Sequence, residues 1–170
     1  EEFTTQTYEV GAAVTAPAYT APEGYSFSGW DVPETMPAEN IVLDATLEIM
    51  TFTVTFIDSL TGEVITEVEV EYGADAEAPD VPDHGMWYVF DGWDGDYTNV
   101  TEDVTVTATY WLLGDVDRDG EVTSCDALIV LRYAMDIITE IDSYVADVNS
   151  DGAVDSIDAL LILRHAMGLI

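Results

Sequence analysis

The 170-residue chain has no lysine and only three basic side chains of permanent charge, Arg118, Arg132 and Arg164, against 35 acidic ones, for a formal net charge of -32 at pH 7. A nucleic-acid backbone or an anionic membrane surface would repel such a chain, so neither is an expected partner. Cys125 is the single cysteine, which excludes an internal disulfide framework. No apolar run reaches the roughly 18 residues that a spanning helix needs, so no membrane insertion is expected. The first residues, Glu1, Glu2, Phe3 and Thr4, lack the basic and apolar layout of a signal peptide, as expected of a mature or trimmed fragment. His84 and His165 have no neighbouring Cys, His or Ser arrangement that would make a zinc site or a triad. No pair among the many carboxylates is singled out for acid–base work. The expectation is a protein without catalytic residues.

What is present divides at Gly114. Ahead of it, β-branched and aromatic residues alternate over 52–57, 64–71 and 104–110, the period of half-buried strands. Beyond it, runs such as 126–135 are too long for a typical strand and rich in helix formers. All three arginines lie in this second part.

Both parts are internally repeated. Gly11 to Pro17 recurs as Gly73 to Pro79, offset by 62 residues; after one insertion, Phe27, Gly29, Trp30 and Asp31 recur as Phe90, Gly92, Trp93 and Asp94, and Ala45-Thr46 as Ala108-Thr109. The second copy opens with a strand around Phe52, whose counterpart the first copy lacks. Trp30 and Trp93 are read as one core slot filled twice, with a sugar-stacking platform as the rival reading. Trp111 is expected to pack the last strand against the helical part, across a linker of only Leu112 and Leu113. His84 is expected in a loop.

The layout of Gly, Pro, Phe-x-Gly-Trp and Ala-Thr resembles the internalin-type B-repeat, also called the Listeria–Bacteroides repeat. The resemblance implies a small β-grasp-like module acting as spacer or adhesion element.

In the last third, Asp115, Asp117, Asp119, Gly120 and Asp126 repeat 32 residues on as Asp147, Asn149, Asp151, Gly152 and Asp158. Calcium takes six to eight hard oxygens at about 2.3–2.6 Å, and oxygens at loop positions 1, 3 and 5 converge only if the chain turns sharply at position 6, where glycine is tolerated. Glu121 and Ala153 would ligate through their carbonyls and Thr123 and Asp155 directly or through water. Asp126 and Asp158 would close each loop in the first turn of a helix. Two bound Ca2+ are expected. The helices, about 124–135 and 156–167, are apolar almost all round, more than one packing stripe needs, so a partner is expected to cover them.

An EF-hand pair, and with it a calcium sensor, fits less well, because EF-hand loops normally close on Glu and no entering helix precedes Asp115. Two calcium loops, each with an exiting helix, resemble the dockerin domain. That resemblance implies docking onto a cohesin domain of a scaffoldin or cell-surface protein, in secreted, cellulosome-like polysaccharide-degrading assemblies. It places partner contacts at Ser124, Cys125, Leu128, Ile129, Arg132 and Tyr133, and at Ser156, Ile157, Leu160, Leu161, Arg164 and His165. Cys125/Ile157 and Tyr133/His165 differ between the halves, so one orientation of the partner is expected to dominate. Arg118 is expected to be solvated.

The expected architecture is therefore multi-domain α+β. A truncated β-grasp-like repeat (1–50) and a full one (51–113) precede an all-α dockerin (114–170) with two calcium loop–helix motifs. Carbohydrate contact by the Trp-bearing repeats is the alternative function.

Overall fold

The computed structural model describes residues 5–170; residues 1–4, on which the leader reading rested, lie outside the described residues. The elements in order are β1 (Tyr25–Trp30), β2 (Ala45–Ile49), β3 (Thr51–Asp58), β4 (Val64–Glu71), β5 (Tyr88–Asp94), β6 (Val104–Leu112), α1 (Ser124–Ala134), α2 (Ser143–Ala146) and α3 (Ser156–Ala166). β1 and β2 form a two-stranded sheet, and the other four strands are ordered β4-β3-β6-β5.

The repeat is visible in the pairing. β1–β2 sets Trp30 opposite Ala45 with a bulge between Phe27 and Gly29; β5–β6 sets Trp93 opposite Ala108 with a bulge between Phe90 and Gly92. The bulge is the reason for the spacing that the two copies share: one extra residue re-aims the tryptophan towards its phenylalanine. Trp30 lies 5.6 Å from Phe27 and donates its indole N–H to Pro17 O at 2.9 Å. Trp93 lies 5.5 Å from Phe90 and 4.9 Å from Phe56.

The chain forms two compact units. The first comprises, of the described residues, 5–54, 68–77 and 97–104. In it Tyr72 donates to Glu23 Oε1 at 2.6 Å, and a Cβ on Gly24 would come within 2.4 Å of the Tyr72 ring, so only glycine fits there. The second comprises residues 55–67, 78–96 and 105–170. Its apolar centre holds Leu113, Val130, Ala146, Val148 and Ile162, with Trp87, Val89, Val116 and Val122 packed against it. Phe56, Val106 and Ala108, also in this unit, are fully buried.

Two features correct the expected architecture. No helix lies among the described residues ahead of α1, so the sheet is not grasped around one. The segment 72–87 between β4 and β5, where such a helix would run, carries Pro79 and Pro82 and positive-φ glycines at 73 and 85, which interrupt helical hydrogen bonding. The region from Gly114 onward is not all-α either. Its helices have 11, 4 and 11 residues, and the remainder is loop, because Asp, Asn and Ser side chains there bond neighbouring amides in place of helical carbonyls. The short α2 intervenes between the two longer helices and buries Val145 and Ala146, so two loop–helix motifs do not describe the region. The structure is a strand-rich amino-terminal part followed by three short helices.

One buried charge belongs to the sheet. Asp58, 2% exposed, pairs with His84 Nε2 and accepts the Leu60 N–H at 2.8 Å. His84 is in a loop, but a tethered one. Burial pushes the Asp58 carboxyl up, yet the Leu60 amide, His84 and the Thr61 amide together hold it below its ordinary value. A lowered carboxylate pKa gives stability that is present above the unfolded value and lost as pH falls through the folded one. His84→Ala leaves this charge short of a partner and is expected to cost about 2 kcal/mol, read from urea unfolding at neutral pH. An unchanged midpoint would mean that the turn amides alone hold Asp58.

Candidate functional site

The two acidic loops are built by the same local bonds. In the first, Asp115 accepts Asp119 N–H at 3.1 Å and Gly120 N–H at 3.0 Å. In the second, Asp147 accepts Asp151 N–H at 3.2 Å and Gly152 N–H at 2.9 Å. Gly120 and Gly152 have φ of 92° and 90°, the left-handed turn at position 6 that glycine permits. Arg118 and Ser150, two residues earlier, match at 59° and 56°.

Each loop closes on a fully buried aspartate. Asp126 accepts Val116 N–H at 3.0 Å and Asp117 N–H at 3.3 Å on one oxygen, and Thr123 N–H at 2.8 Å and the Thr123 hydroxyl at 3.1 Å on the other. Asp158 accepts Asn149 N–H at 3.4 Å and Asp155 N–H at 2.9 Å. Thr123 and Asp155 are also the N-caps of α1 and α3, in reciprocal capping boxes with Asp126 and Asp158. Sequence spacing assigned these two only as loop ligands; the Thr/Asp-x-x-Asp pattern just ahead of an apolar run was the available capping signal.

Carboxylate oxygens of Asp115, Asp117 and Asp126 all lie within 4.8 Å of one another. In the second loop Asn149 stands in the place of Asp117, and its amide donates to Asp151 Oδ2 at 2.9 Å. Asp119 and Asp151 point back into their loops, accepting Glu121 N–H and Ala153 N–H, each at 3.0 Å. Among the described residues the ion pairs are His84–Asp58 and Arg118–Asp142, so no basic side chain neutralises the clustered acids. Burial and then the Asp126, Asp119 and Asp115 carboxylates push Asp117 up; burial, and after it Asp147 and Asp155, push Asp158 up against its two amide bonds. Without a cation, a raised carboxylate pKa favours the folded state fully only below the unfolded value, and that benefit is lost as pH rises through the folded one. A hard divalent ion among these oxygens reverses the penalty, so the donor set fits calcium.

Repulsion among these acids makes the effect of one substitution depend on calcium. Asp117→Asn, which copies the second loop, is expected to raise the melting temperature in chelator and to lower it in excess calcium. A shift of the same sign in both conditions would count against repulsion as the dominant effect at this position.

The predicted contact residues lie along α1 and α3. Ser124, Cys125, Leu128 and Arg132, and Ser156, Ile157, Leu160 and Arg164, are exposed, while Ile129, Tyr133, Leu161 and His165 are half-buried. Leu161 packs against the apolar centre, and His165 stacks on Trp87 with ring centroids 4.0 Å apart. Between the helices runs an open apolar groove of about 460 Å³, lined by Ser124, Ala127, Leu128 and Leu131 and by their equivalents Ser156, Ala159, Leu160 and Leu163. Arg118 is not merely solvated. It pairs with Asp142, the N-cap of α2, and its guanidinium sits 4.6 Å from the centre of the Trp111 ring.

Two acidic loops, two capped helices and an apolar groove between those helices thus lie together in this region. Residues 113–165 match the dockerin type I domain family. Dockerin domains are non-catalytic, generally bind calcium and cohesins, and occur in secreted or cell-surface proteins. No family match covers the preceding β repeats. The chain is also similar to two proteins of Evansella cellulosilytica. One, named as a Gly-rich membrane protein, is 36% identical over 50% of this chain and 11% of its own length; the other, named as a membrane protein, is 31% identical over 75% of this chain and 22% of its own length. The chain thus spans less than a quarter of either relative. No solved structure matches it. Among the described residues no helix is long and apolar enough to cross a membrane.

Proposed function

We propose that this chain anchors a secreted protein, without catalysis, by docking residues 114–170, loaded with two calcium ions, onto a cohesin domain of a scaffoldin or cell-surface protein. The setting is a polysaccharide-degrading assembly, with residues 51–113 and the partial repeat 1–50 as spacer modules. Asp115, Asp117, Asp119, the Glu121 carbonyl, Thr123 and Asp126 hold the first ion. Asp147, Asn149, Asp151, the Ala153 carbonyl, Asp155 and Asp158 hold the second.

The groove between α1 and α3 carries this reading. Leu128 and Leu160 stand 55% and 54% exposed on its two walls, a large uncovered apolar surface for so small a region. Arg132 and Arg164, at equivalent exposed positions, supply rim cations suited to partner carboxylates. Cys125/Ile157 and Tyr133/His165 remain the points at which the two half-sites differ. The tryptophans give the carbohydrate reading less support, since Trp30 and Trp93 are both engaged with phenylalanines of their own units.

Binding of the chain to a panel of cohesins, with calcium and with chelator, tests the proposal. Capture by at least one cohesin, lost in chelator and lost in the Leu128→Asp, Leu160→Asp double variant, is the expected result. Absence of any calcium-dependent cohesin partner would overturn it.

A further inference from the structure

The two acidic loops differ at their fourth position. The first has Arg118 there and the second Ser150, with nearly the same left-handed φ, 59° and 56°. Arg118 stands between Asp117 and Asp119, so whatever holds its side chain also holds the backbone that carries both acids. Its guanidinium donates to Asp142 Oδ2 at 2.5 Å and lies 4.6 Å from the centre of the Trp111 ring, which belongs to β6. A serine side chain is too short for either contact.

Asp142 leads from the first loop to the second. It is the N-cap of α2 and accepts the Tyr144 N–H at 3.1 Å through its other oxygen. The C-cap of α2 is Asp147, the first acid of the second loop. Asp147 N–H donates to Ser143 O at 3.1 Å, and Gly114 N–H, one residue ahead of Asp115, donates to Val145 O at 2.8 Å. A helical turn of only four residues does not hold itself together in water. What orders α2 is therefore the grip on its ends: Arg118 and Gly114 from the side of the first loop, and the folded second loop through Asp147. Order in either loop favours order in the other, because both bias the same turn.

We propose that Arg118 is a positioning residue that couples the two loops: backed by Trp111, it holds α2 through Asp142, so that calcium in the first loop raises the affinity of the second, and conversely. This rests on the reading that both loops hold calcium. The contacts set the size of the effect. An exposed ion pair and an exposed cation–π contact each correspond to about a fivefold change at most, and a coupling of about fivefold is expected. The direction is also diagnostic. Loss of the Arg118 charge alone would strengthen calcium binding by removing a repulsion, whereas loss of the coupling weakens the second loop.

The test is a calcium titration of the full chain followed by NMR, with the Gly120 and Gly152 amides reporting the first and second loops. Asp117→Ala with Asp119→Ala, which removes two exposed acids from the first loop, is expected to leave the second loop binding about fivefold more weakly than in the wild type. In the Arg118→Ser background, which copies the second loop, that difference is expected to shrink below about twofold. Asp142→Asn, which keeps an oxygen to cap Tyr144 N–H, should shrink it likewise. Exchange of the Ala146 and Asp147 amides in saturating calcium should quicken about fivefold in Arg118→Ser. Equal second-loop affinity with the first loop intact or disabled, or a difference that survives both Arg118→Ser and Asp142→Asn, would overturn the coupling and leave calcium binding in place. No response to calcium at either glycine in the wild type would remove the calcium reading of the loops, and the coupling with it.

Discussion

Asp126→Ala is expected to weaken calcium binding at the first loop by more than about a hundredfold, beyond the 10–100-fold typical of losing an outer-shell partner. The carboxylate is one of three that converge within 4.8 Å. It also accepts four hydrogen bonds from residues 116, 117 and 123 while fully buried. Alanine therefore removes a proposed ligand and leaves loop amides without acceptors, at about 1–3 kcal/mol for each one that stays buried. Calorimetric titration of the wild type, Asp126→Ala and Asp158→Ala separates the two loops: each variant should retain one binding event. Two intact events in either variant would remove that aspartate from the ligand set. Calcium-dependent capture by a cohesin should fall in parallel, since α1 starts at the loop that Asp126 closes.

Trp87→Ala is expected to destabilise the second compact unit by about 3 kcal/mol, the lower end for truncating a large aromatic. Trp87 stacks on His165 of α3. Its carbonyl accepts Leu113 N–H at 2.8 Å, and its ring lies 3.2 Å from where a Cβ on Gly114 would stand. Thermal unfolding in saturating calcium measures the loss. Trp111→Ala, which removes a cation–π contact to a half-exposed Arg118, is expected to cost only about 0.5–1 kcal/mol from that contact. Equal effects of the two substitutions would show that the junction does not depend on Trp87. His165→Phe provides a further control: the stack is kept, and the buried Nδ1, which has no hydrogen-bond partner, is removed, so stability should hold or rise.

The acidic loops were the most legible feature of the sequence, because a turn that gathers carboxylates needs acids at alternate positions and a glycine where φ turns positive. Gly120 and Gly152 adopt that turn. The strands at 52–57, 64–71 and 104–110 were legible for a similar reason: a period of two with β-branched residues leaves little alternative. The tryptophan slot was legible because it occurs twice with the same neighbours. Less legible were features made by residues distant in sequence. Nothing local to His84 announces Asp58, 26 residues earlier, and nothing local to Arg118 announces Trp111 beneath it and Asp142 beside it. Trp111 was the residue expected to join the sheet to the helices. Trp87 carries much of that contact, because the segment before β5 turns its indole towards α3.

The architecture was over-read where family likeness replaced local chemistry. The prolines between β4 and β5 already spoke against a helix there. The run of Asp, Asn, Ser and Gly around each acidic loop already favoured turns over continuous helix. The sequence by itself determined the strand period, the duplicated oxygen donors and the excess of apolar helix surface, all set by neighbours within a few residues. Tertiary structure alone decided which tryptophan meets which helix, and that Leu161 and His165 turn inward while Leu128 and Leu160 stay open. These depend on which surfaces meet, and packing fixes that only once the chain has closed on itself.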